Sequence, residues 1–231
     1  MGDNFNPKLF SELAQEGVVK SFSSCIDFTL LDARATERDV ENLMNIAYKN
    51  KYYSVVVNPI FVGFAKRYIV NRLSSALKLA TVIGFPLGNT FTKTKIVEAK
   101  KAIKDGADEL DVCICMTAVK HNDYSYVTRE LSKIVRISRK VVVKAIIETA
   151  YLDPAELEKV VKACIKARVD YIQTSTGYAP IGATEEVVEK ICSLCEKAKT
   201  QVKAAGGIKS KPQADNMLRC GATRIGTSRI L

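Results

Sequence analysis

Eight short runs rich in β-branched residues recur along this chain, each separated from the next by a stretch with helical spacing of apolar residues. No other feature constrains the fold as strongly. The runs fall at residues 25–28, 54–57, 79–83, 109–113, 141–147, 171–174, 202–205 and 224–226. Parallel strands cannot be joined by tight turns, and helical crossovers are the usual solution. Eight strands in strict alternation with helices is the count of a closed TIM (β/α)8 barrel. A doubly wound open sheet is the competing architecture. It normally places a glycine-rich turn after its first strand, and residues 25–31 contain no glycine.

Helix starts agree with the alternation. Thr36 precedes Glu37 and Asp39, Asp153 precedes Pro154, Thr184 precedes Glu185 and Glu186, and Ser210 opens the stretch holding Pro212. Each puts a side-chain acceptor before an acidic or proline-bearing first turn. No linker or composition break interrupts residues 1–231, so a single barrel domain is expected. Only Ser228-Arg229-Ile230-Leu231 follow the eighth strand, so most of the last helix is expected to be lacking. Residues 7–16 or a partner subunit are expected to cover part of the apolar surface thus bared.

Barrel sites are built at the C-terminal ends of the strands. Polar residues inside otherwise apolar strands therefore attract attention, and Asp27, Asp111, Lys144, Gln173 and Lys203 are such residues. One of them alone would read as an ordinary paired core residue. Five on different strands converge only at the barrel axis, where buried charges find partners. Two small-residue segments follow the last two strands: Gly206-Gly207-Ile208-Lys209 and Gly226-Thr227-Ser228. Loops at those two strand ends commonly cradle phosphate with backbone N–H groups, and glycine permits the close approach.

Composition narrows the partners. The net charge is +10, but lysines such as Lys159, Lys162 and Lys166 are spread along helices without interleaved aromatics. That pattern disfavours nucleic acid and suits a surface facing a phosphorylated small molecule. No apolar run approaches the about 18 residues of a membrane span. The N-terminus lacks a basic-then-apolar leader, and Asn6 occupies the Ser/Thr position of a myristoylation motif, so no membrane association and a cytoplasmic location are expected. The seven cysteines are scattered, as free thiols in a reducing compartment would be. Cys192 and Cys195 fall within a helical pattern, and the single histidine is His121, so no metal site or cofactor is expected.

The residues Ile26-Asp27-Phe28-Thr29-Leu30-Leu31, Val82-Ile83-Gly84-Phe85-Pro86-Leu87-Gly88, Gly106-Ala107-Asp108-Glu109-Leu110-Asp111, Val143-Lys144-Ala145-Ile146-Ile147-Glu148-Thr149, Thr174-Ser175-Thr176-Gly177 and Val202-Lys203-Ala204-Ala205-Gly206-Gly207 occur in this order. Together they resemble the deoxyribose-phosphate aldolase family, over nearly the whole chain. The resemblance implies a class I lyase that splits 2-deoxyribose 5-phosphate into glyceraldehyde 3-phosphate and acetaldehyde through an imine. It implies that Lys203 is the lysine that activates the imine-forming one, and that Asp111 relays protons. Asp27, Lys144 and Thr176 are expected to line the polar mouth. Gly177, Tyr178, Gly206, Gly207, Ile208, Lys209, Gly226, Thr227 and Ser228 are expected around the substrate phosphate.

The imine-forming lysine falls where this sequence has Gln173. An amide nitrogen has its lone pair delocalised into the carbonyl and cannot form an imine. Phe28, Cys115 and Val56 also depart from frequent family residues and are expected near the same pocket. Three readings stay open at this point: an active aldolase altered at Gln173, a catalytically dead homologue that binds a sugar phosphate or a protein partner, and an enzyme whose imine has moved to Lys203 or Lys144. The family resemblance also implies a homo-oligomer, expected as a dimer.

Overall fold

The computed structural model describes residues 21–73 and 76–231. Eight parallel strands close into a barrel in sequence order, with β1 paired to both β2 and β8. They are β1 (Ile26–Leu30), β2 (Ser54–Val57), β3 (Lys78–Ile83), β4 (Glu109–Cys113), β5 (Val142–Ile146), β6 (Tyr171–Gln173), β7 (Gln201–Ala205) and β8 (Arg224–Thr227). The helices that follow the first seven are α1 (Glu37–Lys49), α2 (Val62–Tyr68), α3 (Thr92–Asp105), α4 (Tyr124–Ile137), α5 (Pro154–Ala167), α6 (Glu185–Cys195) and α7 (Lys211–Arg219). The chain is the TIM barrel that its alternation predicts.

Local chemistry starts the helices where expected. Thr36 and Asp153 each form a reciprocal capping box, with Asp39 and Glu156 respectively. Thr184 and Ser210 accept from the backbone N–H groups of Val187 and Gln213. In α1 the buried residues are Val40, Leu43, Met44 and Ala47, a spacing that lays one apolar stripe against the sheet.

Strand alternation sorts the interior into two environments. Ile26, Phe28, Val55, Val57, Leu79, Leu110, Val112, Val143, Ala145, Ile172, Val202, Ala204 and Ile225 face outward and join the helices in one continuous apolar core. Their neighbours face the axis. On the β2–β3 side these are Val56, Ala80 and Val82, a small separate apolar cluster. On the opposite side they are charged.

No helix follows β8 in the described residues. The last residues turn back over the outside of the barrel, where Tyr52 Oη donates to Leu231 O at 3.3 Å and accepts from Leu231 N at 3.1 Å. Leu231 and Phe22 each pack against the outer core. The expectation for residues 7–16 lies outside the described residues.

Candidate active site

The charged side of the barrel interior is a closed ionic plug. Asp27 Oδ1 accepts from Arg224 at 2.7 Å and from Ser54 Oγ at 2.6 Å. Its Oδ2 meets Lys203 Nζ at 2.8 Å and Lys144 Nζ at 3.2 Å. Asp111 divides its oxygens in the same way, with Oδ1 on Lys144 at 2.8 Å and Oδ2 on Lys203 at 2.7 Å. Glu109 lies 2.5 Å from Lys144 and 3.4 Å from Arg224. Three carboxylates thus face three cations, and the plug carries no net charge.

Burial and pairing compete over every group here. For Asp27, burial works to raise the carboxyl, but the charges of Lys144, Lys203 and Arg224 overcome it and hold the group well below the usual carboxylate range. Burial works to lower Lys144, and Asp111, Asp27 and Glu109 overcome it and raise the ammonium above its ordinary value. Arg224 is raised by Asp27 and Glu109 against the same burial effect. Its guanidinium also stacks 3.7 Å over the Tyr53 ring.

Above the plug opens a cavity of about 590 Å3 at the C-terminal ends of the strands. Asp111, Gln173, Thr176, Gly177, Tyr178, Lys203, Gly206, Gly207, Ile208, Lys209, Gly226, Thr227 and Ser228 all line it. Asp27 and Lys144 do not. They are fully buried one layer below its floor, because each stands on its strand below the residues that reach the mouth. The expectation that they line the mouth is corrected accordingly.

Gln173 ends β6 beside Lys203 of β7. Its Nε2 donates to Ser175 O at 3.0 Å, which fixes the amide orientation, since the reverse would oppose two carbonyl oxygens. Its Oε1 is buried without a hydrogen-bond partner among the described residues. Thr176 is held from the next strand end. Glu148 accepts from both the Thr176 backbone N–H and its hydroxyl. Glu148 itself has φ 46°, a left-handed conformation that a residue with a Cβ adopts only when its surroundings impose it.

The loops after β6, β7 and β8 approach one another closely. Gly177, Gly206 and Gly207 all have positive φ. A Cβ on Gly182 would lie 2.1 Å from Gly206 O, so glycine there is a packing requirement. Gly226 has a different task from a loop glycine. A Cβ on it would meet Ala205 Cβ at 2.9 Å and Lys203 Cε at 3.1 Å, so its absence makes room for both the β7 alanine and the lysine stem. Thr227 Oγ1 donates to Ile208 O at 2.8 Å and accepts from Arg229 N at 3.0 Å, tying the β7 and β8 loops together. Ile208 turns its side chain into the outer core, so it offers the cavity mainly backbone, whereas Lys209 and Ser228 are exposed at the rim.

The departures from family residues do not cluster as expected. Val56 lines the cavity. Phe28 faces outward, its ring centroid 5.5 Å from that of Tyr52. The Cys115 thiol lies 3.8 Å from Asn89 Oδ1, outside the cavity lining. Cys192 and Cys195 lie on α6, where burial pushes both thiols up to about 11.

A family model for DeoC/LacD family aldolases matches residues 24–227. The deoxyribose-phosphate aldolase of Thermococcus gammatolerans is 43% identical over 205 residues, covering 88% of this chain and 90% of that protein. That of Mycoplasmopsis synoviae is 37% identical over 209 residues, covering 90% and 93%. Among solved structures, the deoxyribose phosphate aldolase from Aeropyrum pernix, described as a unique tetramer, superposes with a TM-score of 0.83 at 36% identity, covering 90% of this chain and 86% of that one. With the barrel, the strand-end cavity and these matches in hand, this chain belongs to the DeoC/LacD aldolase family, among the deoxyribose-phosphate aldolases.

Proposed function

We propose that this chain binds 2-deoxyribose 5-phosphate or a closely related sugar phosphate in the mouth cavity without forming an imine, so that aldol cleavage is lost or strongly impaired. The observation that carries this reading is Gln173. It lines the cavity at the end of β6, beside Lys203, and in our reading its amide stands where the family resemblance implies an imine-forming amine. A covalent intermediate divides a hard carbon–carbon cleavage into easier steps, and removing such a nucleophile typically costs several powers of ten in rate.

The geometry disfavours a relocated imine. Lys144 sits below the cavity floor against three carboxylates. Lys203 reaches the cavity, but its Nζ donates to Asp111 and lies 2.8 Å from Asp27 Oδ2, and an amine so engaged presents no lone pair to a carbonyl. Binding needs none of this. In our reading the phosphate lies against the backbone of Gly206, Gly207, Thr227 and Ser228 with Lys209 and Gly177 beside it, and Asp111, Thr176 and Tyr178 meet the sugar. The proposal includes a cytoplasmic homo-oligomer, a dimer, with no nucleic-acid or membrane partner. Among the described residues no helix is long and apolar enough to cross a membrane.

A borohydride trap tests the reading. The chain and its Gln173→Lys variant are incubated with 2-deoxyribose 5-phosphate, reduced and weighed by intact mass spectrometry. The expected outcome is no adduct on the chain and one on the variant. An adduct on the unaltered chain, mapped to Lys203 or Lys144, would overturn it.

A further inference from the structure

The mouth is divided into two chambers. Beside the first cavity lies a second of about 350 Å3, and Thr176, Tyr178 and Ala179 line both. Each falls within the about 300–1,000 Å3 typical of small-ligand pockets. Their chemistry differs. The first holds Asp111, Lys203, Lys209 and the glycine loops. The second is walled mainly by Leu87, Ile114, Met116, Ile146, Tyr151 and Tyr178.

The dividing element is anchored. Tyr178 Oη donates to Leu31 O at 3.1 Å, and the ring meets Phe85 edge-on with centroids 5.4 Å apart. Below, Glu148 lines the second chamber while holding Thr176 at its boundary with the first. The two floors are adjacent strands. Ile146 under the second chamber is the register partner of Gln173 under the first, so the floors are one strand spacing, about 4.8 Å, apart. A group on the sugar carbon above Gln173 therefore reaches the second chamber within a few bonds.

In an imine-forming aldolase that carbon must be a free aldehyde. Gln173 removes the requirement, since an amide makes no bond to it. A substituent there no longer blocks chemistry, and the neighbouring chamber offers it apolar walls and two tyrosine rings, with the Asn89 amide in the lining for a polar edge. We propose that the ligand bears a planar, largely apolar-faced group at C1, which makes it a 2-deoxynucleoside 5′-monophosphate instead of the free sugar phosphate. This rests on the sugar-phosphate reading above and deepens it: the phosphate stays at the β7 and β8 loops, the deoxyribose crosses over Gln173, and the base fills the second chamber.

Calorimetry on the intact chain tests it with thymidine 5′-monophosphate, 2-deoxyribose 5-phosphate and thymidine. The nucleotide is expected to bind at least about tenfold more tightly than 2-deoxyribose 5-phosphate, as burial of a base against two aromatic rings warrants. Thymidine, lacking the anion, is expected to bind more weakly than either. Leu87→Trp and Met116→Trp each fill the second chamber and should abolish the nucleotide's advantage while leaving 2-deoxyribose 5-phosphate affinity in place. Leu87 is 68% exposed, so its variant keeps the test valid should the Met116 variant misfold. Equal or weaker binding of the nucleotide, with 2-deoxyribose 5-phosphate still bound, would overturn this inference and leave the sugar-phosphate reading standing. No binding of either phosphate would overturn both.

Discussion

The lower and upper levels of the barrel interior are built to opposite standards. Below, the six charges of the plug are buried and paired among themselves, with Lys144 alone touching three carboxylates, and only Asp111 and Lys203 reach the cavity floor. Above, Gln173 leaves a carbonyl oxygen without a partner beside an open cavity. Buried polar groups in folded chains are nearly always satisfied. Asp27 Oδ2 and Glu109 Oε1 in the lower level also lack a hydrogen bond among the described residues, but each belongs to a carboxylate ion-paired with at least two cations. Gln173 Oε1 has no such compensation, so the lower level reads as scaffold and the upper one as a place kept for something else. Balance teaches the same lesson. A lysine at position 173 would make the interior net positive, whereas the amide leaves three acids against three bases. The chain is thus best balanced when it is chemically silent.

The largest effect is expected from breaking the lower level. Lys144→Met should destabilise the fold by about 3–5 kcal/mol, because it strands carboxylates in the interior. Urea denaturation reads this directly. Adding Asp111→Asn restores equal numbers of acids and bases and should recover about 1–3 kcal/mol of the loss through their coupling. A double variant no more stable than the single one would mean that the plug does not act as a charge-balanced unit. Leu110→Ala, on the outward face of the same strand β4, should cost about 2–5 kcal/mol, with no charge change able to rescue it.

Gln173→Lys is the next test, aimed at the boundary between the levels. It adds a fourth cation beside Lys203 and should cost about 1–3 kcal/mol near neutral pH, less than Lys144→Met because a lysine escapes by losing its proton. The sign of its pH dependence follows. The new amine is held below its ordinary value in the folded chain, so the unfolded state binds more protons, and the deficit shrinks as pH rises toward about 10. A deficit independent of pH would show that the new side chain points away from the plug. Glu148→Gln is smaller again. It keeps the left-handed backbone but weakens the charge-assisted bonds to Thr176, for about 0.5–1.5 kcal/mol.

Much of this architecture is legible in the sequence because strands alternate faces. Asp27, Asp111, Lys144, Gln173 and Lys203 stand out since charged or amide groups interrupt apolar runs, and all five lie on the axis side. The same spacing of two puts Glu109 beside Asp111 and Arg224 beside Gly226. Both are harder to recognise, because a charged residue at a strand's first position ordinarily reads as a solvated end. Phe28 is one residue from Asp27 and therefore faces the helices, which parity alone dictates. Glu148 is not legible at all. Its left-handed backbone comes from the meeting of the β5 and β6 loops, and nothing local in a glutamate announces it. The division of the mouth by Tyr178 likewise depends on loops distant in sequence, since its hydroxyl bonds to Leu31 O.

The smallest expected effect is a plateau. Asp27 is held below its ordinary value, so its contribution is complete above about pH 3.9 and is lost only as pH falls through its lower, folded value. Lys144 and Arg224 are raised, so theirs are complete below the ordinary lysine and arginine values and are lost only in strong base. The thiols of Cys192, Cys195 and Cys220 are pushed up to about 11 by burial, and the unfolded chain gives up these protons first, from about pH 8.5. Stability therefore begins to decline above that point. The single histidine, His121, lies on the surface, its ring bonded to Thr117 O and remote from the plug. The shifts of Asp27, Lys144 and Arg224 therefore leave the stretch between about pH 5 and pH 8 flat, and unfolding free energy should vary there by less than about 1 kcal/mol. A steep slope within that window would mean that one of the plug's six groups titrates there. The lower level would then be a proton-responsive part of the site and could no longer be treated as inert scaffold beneath it.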